Sequence, residues 1–163
     1  MPIPTWAVGQ VLTASDVNTW FVPLNIVKPA DTTRTGTTPS DDPDLILAVA
    51  ANATYVFTAY LRYQGSIISN SWKLTWAVPA STIMRYCPGV FVDASGATVF
   101  DLNYAGADTV LINSNALGQA LNISGTITTA GTAGNVKMQW SFNTGGGNMT
   151  IQQYSWLSLQ RVA

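Results

Sequence analysis

From residue 45 onward, apolar and polar side chains tend to alternate with a period of two, which is the period of a β-strand. The alternation is clearest in the segment 72–78, where one face carries Trp72, Leu74, Trp76 and Val78. Similar segments predict strands near residues 45–49, 54–63, 89–92, 97–103, 109–113, 117–128, 135–142 and 149–159. Short strands divided by glycine-containing turns, with no helical period among them, predict an all-β fold. We expect a jelly-roll-like β-sandwich of eight to ten strands, with the last strand in a central position.

The first 26 residues have a different pattern, which predicts an N-terminal arm containing a short helix. Thr13 is a suitable N-cap, Asp16 stands three residues later where a capping-box acid belongs, and Pro23 ends the helix. A helix of about two turns is not stable alone, so it must dock on something. We therefore divide the chain into an anchoring arm, residues 1–26, and a β-sandwich domain, residues 27–163.

Docking of the arm has two alternatives: the helix packs on its own domain, or it binds a neighbouring subunit or a larger particle. Large aromatic side chains dominate the energies of protein interfaces. The candidate interaction residues are accordingly Trp6, Val17, Trp20 and Phe21.

Charged residues make up only 9% of the chain, and the net charge is −1. The seven basic residues are scattered singly, which argues against a nucleic-acid partner because phosphates select for a concentrated basic surface. No apolar run approaches the length of a membrane span, so no membrane partner is expected. The N-terminus lacks the pattern of a signal peptide, and we expect synthesis in a cytoplasm without export by a cleavable signal.

The chain contains no histidine and no glutamate, which removes the commonest general base and the commonest metal ligand. We therefore predict a protein that is not an enzyme and has no cofactor. Paired aspartates such as Asp101 and Asp108 leave glycoside hydrolysis as the least favoured alternative. The acidic cluster of Asp41, Asp42 and Asp44 lies beside prolines and predicts a solvated loop, with a Ca²⁺ site as the alternative.

The chain is also rich in large aromatic side chains, and these leave two interpretations open. A sugar-binding platform is one interpretation of Tyr55, Tyr63, Trp72 and Trp76. At strand periodicity, aromatic residues more often belong to a core or a subunit interface, which is the interpretation we favour.

Two sequence blocks resemble a known class of proteins. Residues 9–18, GQVLTASDVN, resemble the start G-x-V-L-T-A-x-D-x-N of virion proteins of tailed bacteriophages, often tail-fibre and appendage proteins. Residues 28–34, 42–45, 50–55 and 76–80 resemble a block of small phage structural proteins, usually described as minor tail or head-decoration proteins. The resemblance covers roughly the first half of the chain and brings no catalytic residues with it.

The resemblance implies a virion structural protein assembled in the bacterial cytoplasm. A neutral β protein has sheet edges that must be covered, and packing with copies of itself covers them. We expect a trimeric capsid decoration protein whose partners are its own copies and the major capsid protein. The alternative is a minor tail or tail-fibre protein that binds a host receptor or glycan through aromatic side chains in loops such as 65–70.

Overall fold

The computed structural model describes residues 6–66, 70–89, 91–93, 97–99, 103–114, 116–143 and 147–163. One helix, α1, spans Ala14–Trp20. The strands are β1 Leu24–Val27, β2 Thr32–Arg34, β3 Ser40–Val49, β4 Thr54–Gly65, β5 Asn70–Ala77, β6 Ile83–Cys87, β7 Phe91–Val92, β8 Thr98–Val99, β9 Tyr104–Ala105, β10 Val110–Ser114, β11 Gln119–Thr128, β12 Gly134–Phe142, β13 Met149–Ile151 and β14 Trp156–Arg161. The predicted all-β class is confirmed.

Two antiparallel sheets pack face to face. The larger sheet has the order β1-β14-β4-β11-β6-β9, with β13 beside β4 and β2 beside β13; the smaller sheet has the order β10-β5-β12-β3. From β3 to β6, and again from β9 to β12, each successive strand lies in the opposite sheet. These eight strands form a jelly roll, so the predicted jelly-roll-like β-sandwich is confirmed. Strand β14 lies between β1 and β4 rather than at an edge, as expected for the last strand.

The core lies between the two sheets and is rich in aromatic side chains. Trp72 of β5 is fully buried and lies 5.1 Å, between ring centroids, from Tyr63 of β4. Trp76 approaches Phe57 edge to face with centroids 5.5 Å apart. Burying one such side chain contributes about 1.5–3 kcal/mol relative to leaving it exposed.

The same burial decides between the two interpretations of the aromatic residues. Tyr55, Tyr63, Trp72 and Trp76 each expose 4% of their surface or less. A sugar platform built from these four side chains was therefore the wrong alternative, and the core interpretation is correct.

Strand β6 was not predicted, although it lies between β11 and β9 in the larger sheet. Met84 and Tyr86 point into the core while Ile83 and Arg85 are exposed, so the segment alternates as a strand should. The segment is only five residues long and is flanked by Pro79 and Pro88, which made it resemble a connection. The predicted strand at 149–159 is two strands, β13 and β14, because Tyr154 adopts a positive φ of 66° in the turn between them.

Candidate interaction surface

Helix α1 begins with the predicted capping box. The Thr13 Oγ1 accepts a hydrogen bond from the Asp16 backbone N–H at 3.1 Å, and the Asp16 carboxylate accepts one from the Thr13 backbone N–H at 3.0 Å. These hydrogen bonds satisfy two amides that a helix N-terminus otherwise leaves without partners. Hydrogen bonds from the Thr13 side chain and then its backbone lower the pKa of Asp16 below its ordinary value. The N-cap prediction is confirmed, and the helix ends at Trp20 with Phe21 as its C-cap.

None of the residues of α1 is buried. Val17 and Phe21 are four residues apart and therefore lie on the same side of the helix. They expose 37% and 58% of their surface. The chain before and after the helix is apolar and exposed as well. We call the exposed apolar side chains of this region the arm surface, and they are Val8, Val11, Leu12, Val17, Phe21 and Val22.

The arm is attached to its own domain mainly at the end of the helix. The Arg161 guanidinium carbon lies 4.5 Å from the centroid of the Trp20 ring, and the Gln160 side-chain amide donates a hydrogen bond to the Trp20 carbonyl at 2.8 Å. Elsewhere a groove of about 660 Å³ separates the helix from the sandwich, with Ser15 and Thr19 on one side and Tyr55 on the other. The helix is therefore held to its domain at one end while its apolar residues stay exposed.

The four predicted interaction residues take different positions. Val17 and Phe21 lie on the arm surface, Trp20 is half-buried against β14, and Trp6 is half-buried at the start of the described chain. That these residues bind a partner stays a prediction. Sequence reasoning did not single out Val8, Val11, Leu12 and Val22, although three of them lie in or beside the GQVLTASDVN segment.

Strand β1 continues the arm into the larger sheet. Residues 24–26, which the division at residue 26 placed in the arm, pair with β14, as in Leu24 opposite Leu159. Among the described residues β1 forms an edge of the sheet, and Leu24 and Val27 are exposed. A short exposed edge strand next to an apolar arm can form both main-chain and side-chain contacts with another molecule.

The acidic cluster is not the solvated loop that the sequence predicted. Asp42 lies inside strand β3 with no exposed surface, and the fully buried Lys28 ammonium lies 3.0 Å from its Oδ1. The same ammonium contacts the Asp44 carboxylate at 2.6 Å, and the Trp140 indole N–H donates to Asp42 Oδ2 at 2.9 Å. We call Lys28, Asp42, Asp44 and Trp140 the corner network. A buried charge must be paired and hydrogen-bonded, and Lys28 supplies the pairing that allows Asp42 to be inside.

The prolines beside Asp42 suggested a loop, but this segment belongs to strand β3. The strand accommodates Pro43 because it is an edge strand whose pairing is irregular. Its pairing with β12 shifts between Lys137 and Gln139, so the segment from Asp42 to Leu45 bulges away from its neighbour. Pro43 lies in this bulge, where a missing backbone N–H breaks no ladder hydrogen bond. Next to it, hydrogen bonds from Lys137 and then Gln139 lower the pKa of the half-exposed Asp41.

The remaining sites proposed from sequence can be placed in part. The described residues include no group of three aspartate or cysteine side chains that could hold a metal ion. Asp108 is exposed and accepts the Ala105 backbone N–H in a turn, whereas Asp101 falls outside the described residues. Of the loop 65–70, residues 67–69 also lie outside them.

The described helix, of seven residues, is too short to span a bilayer.

No protein-family profile matches the chain, and no curated protein matches it. Among solved structures, the tripod from the baseplate of bacteriophage Tuc2009 aligns with 96% of this chain and 72% of its own, at 10% identity and a TM-score of 0.33. The VP2 subviral particle of infectious bursal disease virus aligns with 87% of this chain and 37% of its own, at 15% identity and a TM-score of 0.27. At TM-scores below 0.5 these likenesses carry no conclusion about fold or function.

Proposed function

We propose that the chain is a non-enzymatic structural protein of a tailed-phage virion, and that it is a trimeric decoration protein of the capsid. The observation that carries the proposal is the arm surface. A protein with a well-packed core leaves the apolar side chains of its N-terminal arm outside that core, which is the arrangement expected of a segment that binds another molecule.

The attachment of the arm supports the same function. Trp20 holds one end of the helix to β14, so Val17 and Phe21 are presented at a defined place rather than on a freely moving tail. Holding a binding segment in place reduces the entropy that association costs. The arm therefore acts as the element that anchors each copy to the shell.

The composition of the surface favours assembly with further copies. Charged residues make up only 9% of the chain, so the protein has few charges to place on its surface. Surfaces with few charges repel one another little when identical subunits approach, and a closed ring of subunits covers sheet edges such as β1. A trimer whose subunits are joined along these edges satisfies both conditions.

Binding of the purified protein to virion parts tests the proposal. We would co-sediment it with tailless, DNA-free capsids and separately with isolated tails, and measure bound copies by quantitative gel densitometry. Saturable binding to capsids at many copies per shell, together with a trimer mass by light scattering, is the expected result. Binding only to tails, at a few copies each, would replace the decoration role with a role in host recognition. No binding to either particle would remove the virion role.

A further inference from the structure

The outer face of the larger sheet carries a groove that crosses its central strands. Two adjoining depressions of about 330 and 390 Å³ share Cys87 and Ser124. The first depression includes Trp156 of β14, and the second extends to Arg85 of β6. Neighbouring strands lie about 4.8 Å apart, so a groove spanning β14, β4, β11 and β6 is roughly 14 Å long.

Trp156 lines one end of the groove, and Tyr60 packs beside it. Trp156 and Tyr60 lie opposite one another on paired strands, with ring centroids 6.5 Å apart and ring planes 26° from parallel. Both side chains are half-buried, so each is held by its neighbours while part of its surface faces solvent. A side chain fixed in this way loses little conformational entropy when a ligand binds.

The groove floor supplies polar groups that the fold does not use. Asn122 lies directly opposite Tyr60, and Ser124 lies opposite Thr58. The side chains of Thr58, Asn122 and Ser124 are exposed. None of the three forms a hydrogen bond to another side chain or to the backbone in the described part of the chain. An amide offers two donors and an acceptor, and each hydroxyl offers a donor and an acceptor. No charged residue lines the depression beside Trp156.

From this geometry we propose that the groove binds a short oligosaccharide. A sugar ring has an apolar face of C–H groups that packs on an indole, and an edge of hydroxyls that pairs with amide and hydroxyl groups. Trp156 supplies the first kind of contact, and Thr58, Asn122 and Ser124 supply the second. A neutral ligand suits a neutral depression because it brings no charge that would need a partner. The inference goes beyond the structural role and holds for either position of the protein on a virion.

The test uses the full chain on an array of bacterial and host oligosaccharides, followed by saturation-transfer NMR titration of the bound compounds. The double variant Asn122→Ala/Ser124→Ala removes exposed groups without a structural hydrogen bond, so it leaves the fold intact. We expect its affinity to fall roughly tenfold. Trp156→Ala should weaken binding by at least as much, and a melting curve checks that it remains folded.

Two variants serve as matched controls. Asn135→Ala removes an exposed amide on β12 of the other sheet, and Tyr154→Ala removes an exposed aromatic ring outside the groove. Both should bind saccharide as the native chain does. The proposal is overturned if no oligosaccharide on the array binds above background, or if the double variant binds with native affinity. It is also overturned if the double variant changes the oligomer mass by light scattering, because the groove would then be a contact between copies.

Discussion

The arm surface and the corner network each have the opposite burial to the one that their sequences suggest. The arm has the residues of a core, including Val11, Val17 and Phe21, yet these lie outside the fold. The two aspartates of the corner network come from a segment with three aspartates and two prolines, yet Asp42 has no exposed surface. Phe21 and Asp42 are only 21 positions apart in the sequence.

The difference lies in whether the chain provides a partner. Asp42 is inside because Lys28 and Trp140 reach it from other parts of the molecule. Val17 and Phe21 are outside, and the hydrogen bond and ring contact that tie the described helix to the larger sheet, from Gln160 and Arg161, both reach Trp20 at its end. A polar residue with its partners present can be buried, whereas a group of exposed apolar residues is the feature expected of a surface that binds another molecule.

The largest effect is expected from breaking the buried ion pair. In Lys28→Met the Asp42 carboxylate stays buried without its cation, and removing one partner of a buried pair costs about 3–5 kcal/mol of unfolding free energy. Urea denaturation followed by tryptophan fluorescence measures the change. Lys137→Met is the matched control, because its pair with Asp41 is about one-third exposed. The control should lose less than about 1 kcal/mol. Equal losses in the two variants would contradict a special role for the corner network.

A second comparison uses two fully buried tryptophans. Trp140 donates its indole N–H to Asp42, whereas the indole N–H of Trp72 has no acceptor among the described residues. Replacing either by phenylalanine leaves a similar void, but only Trp140→Phe also removes a hydrogen bond from the buried Asp42 carboxylate, whose Oδ2 then keeps only the Lys28 ammonium at 3.2 Å as donor among the described residues. We expect Trp140→Phe to be less stable than Trp72→Phe by about 1–3 kcal/mol in the same denaturation experiment. Trp72→Phe being the less stable of the two would contradict the account.

A substitution in the arm should change the stability of α1 and leave the stability of the sandwich unchanged. Thr13→Ala removes the N-cap of α1 and should cost the helix about 1 kcal/mol. Because α1 buries none of its residues, the urea midpoint of the sandwich should stay unchanged. Hydrogen exchange should be faster at the amides of α1 only. Thr19→Ala, inside the same helix, is the control and should not speed exchange. A lowered urea midpoint in Thr13→Ala would mean that the helix contributes to the core.

The smallest effect concerns pH. The pKa of Asp16 is lowered in the folded chain, so its contribution to α1 is present above its ordinary value of 3.8. That contribution is lost as the pH falls through the lowered folded value. Titration by NMR between about pH 5 and about pH 2 should show the Thr13 amide shifting together with the Asp16 carboxyl. In Asp16→Asn the Thr13 amide should not titrate. An Asp16 pKa at or above 3.8 in the native chain would contradict the capping box.

Local patterns predicted much of this molecule. The period-two alternation predicted the sandwich, and the spacing of Thr13 and Asp16 predicted the helix start, because both depend on neighbours in the chain. The corner network depends on partners far apart in sequence, since Trp140 follows Asp42 by 98 residues. No local signal marks such a pairing, and the prolines beside Asp42 pointed toward a loop.

The candidate surfaces, too, could be predicted only in part from local sequence patterns. The aromatic residues at 6, 20 and 21 drew attention to the arm, but only the structure separates the half-buried Trp20 from the exposed Phe21. The groove depends on which strands are neighbours. Trp156 reaches Tyr60 because β14 pairs with β4, a pairing across nearly a hundred residues that the pattern of either strand does not reveal.

The central claim is that the arm surface attaches the protein to a virion, and a double variant tests it most directly. Val17→Ser/Phe21→Ser removes exposed apolar groups, and Leu117→Ser removes one that is 82% exposed in the β10–β11 connection. Both proteins would be co-sedimented with capsids after equal thermal stability is established. The account predicts that the double variant loses at least tenfold in capsid affinity, about 1.4 kcal/mol, while Leu117→Ser binds normally. Native capsid binding by the double variant would contradict it.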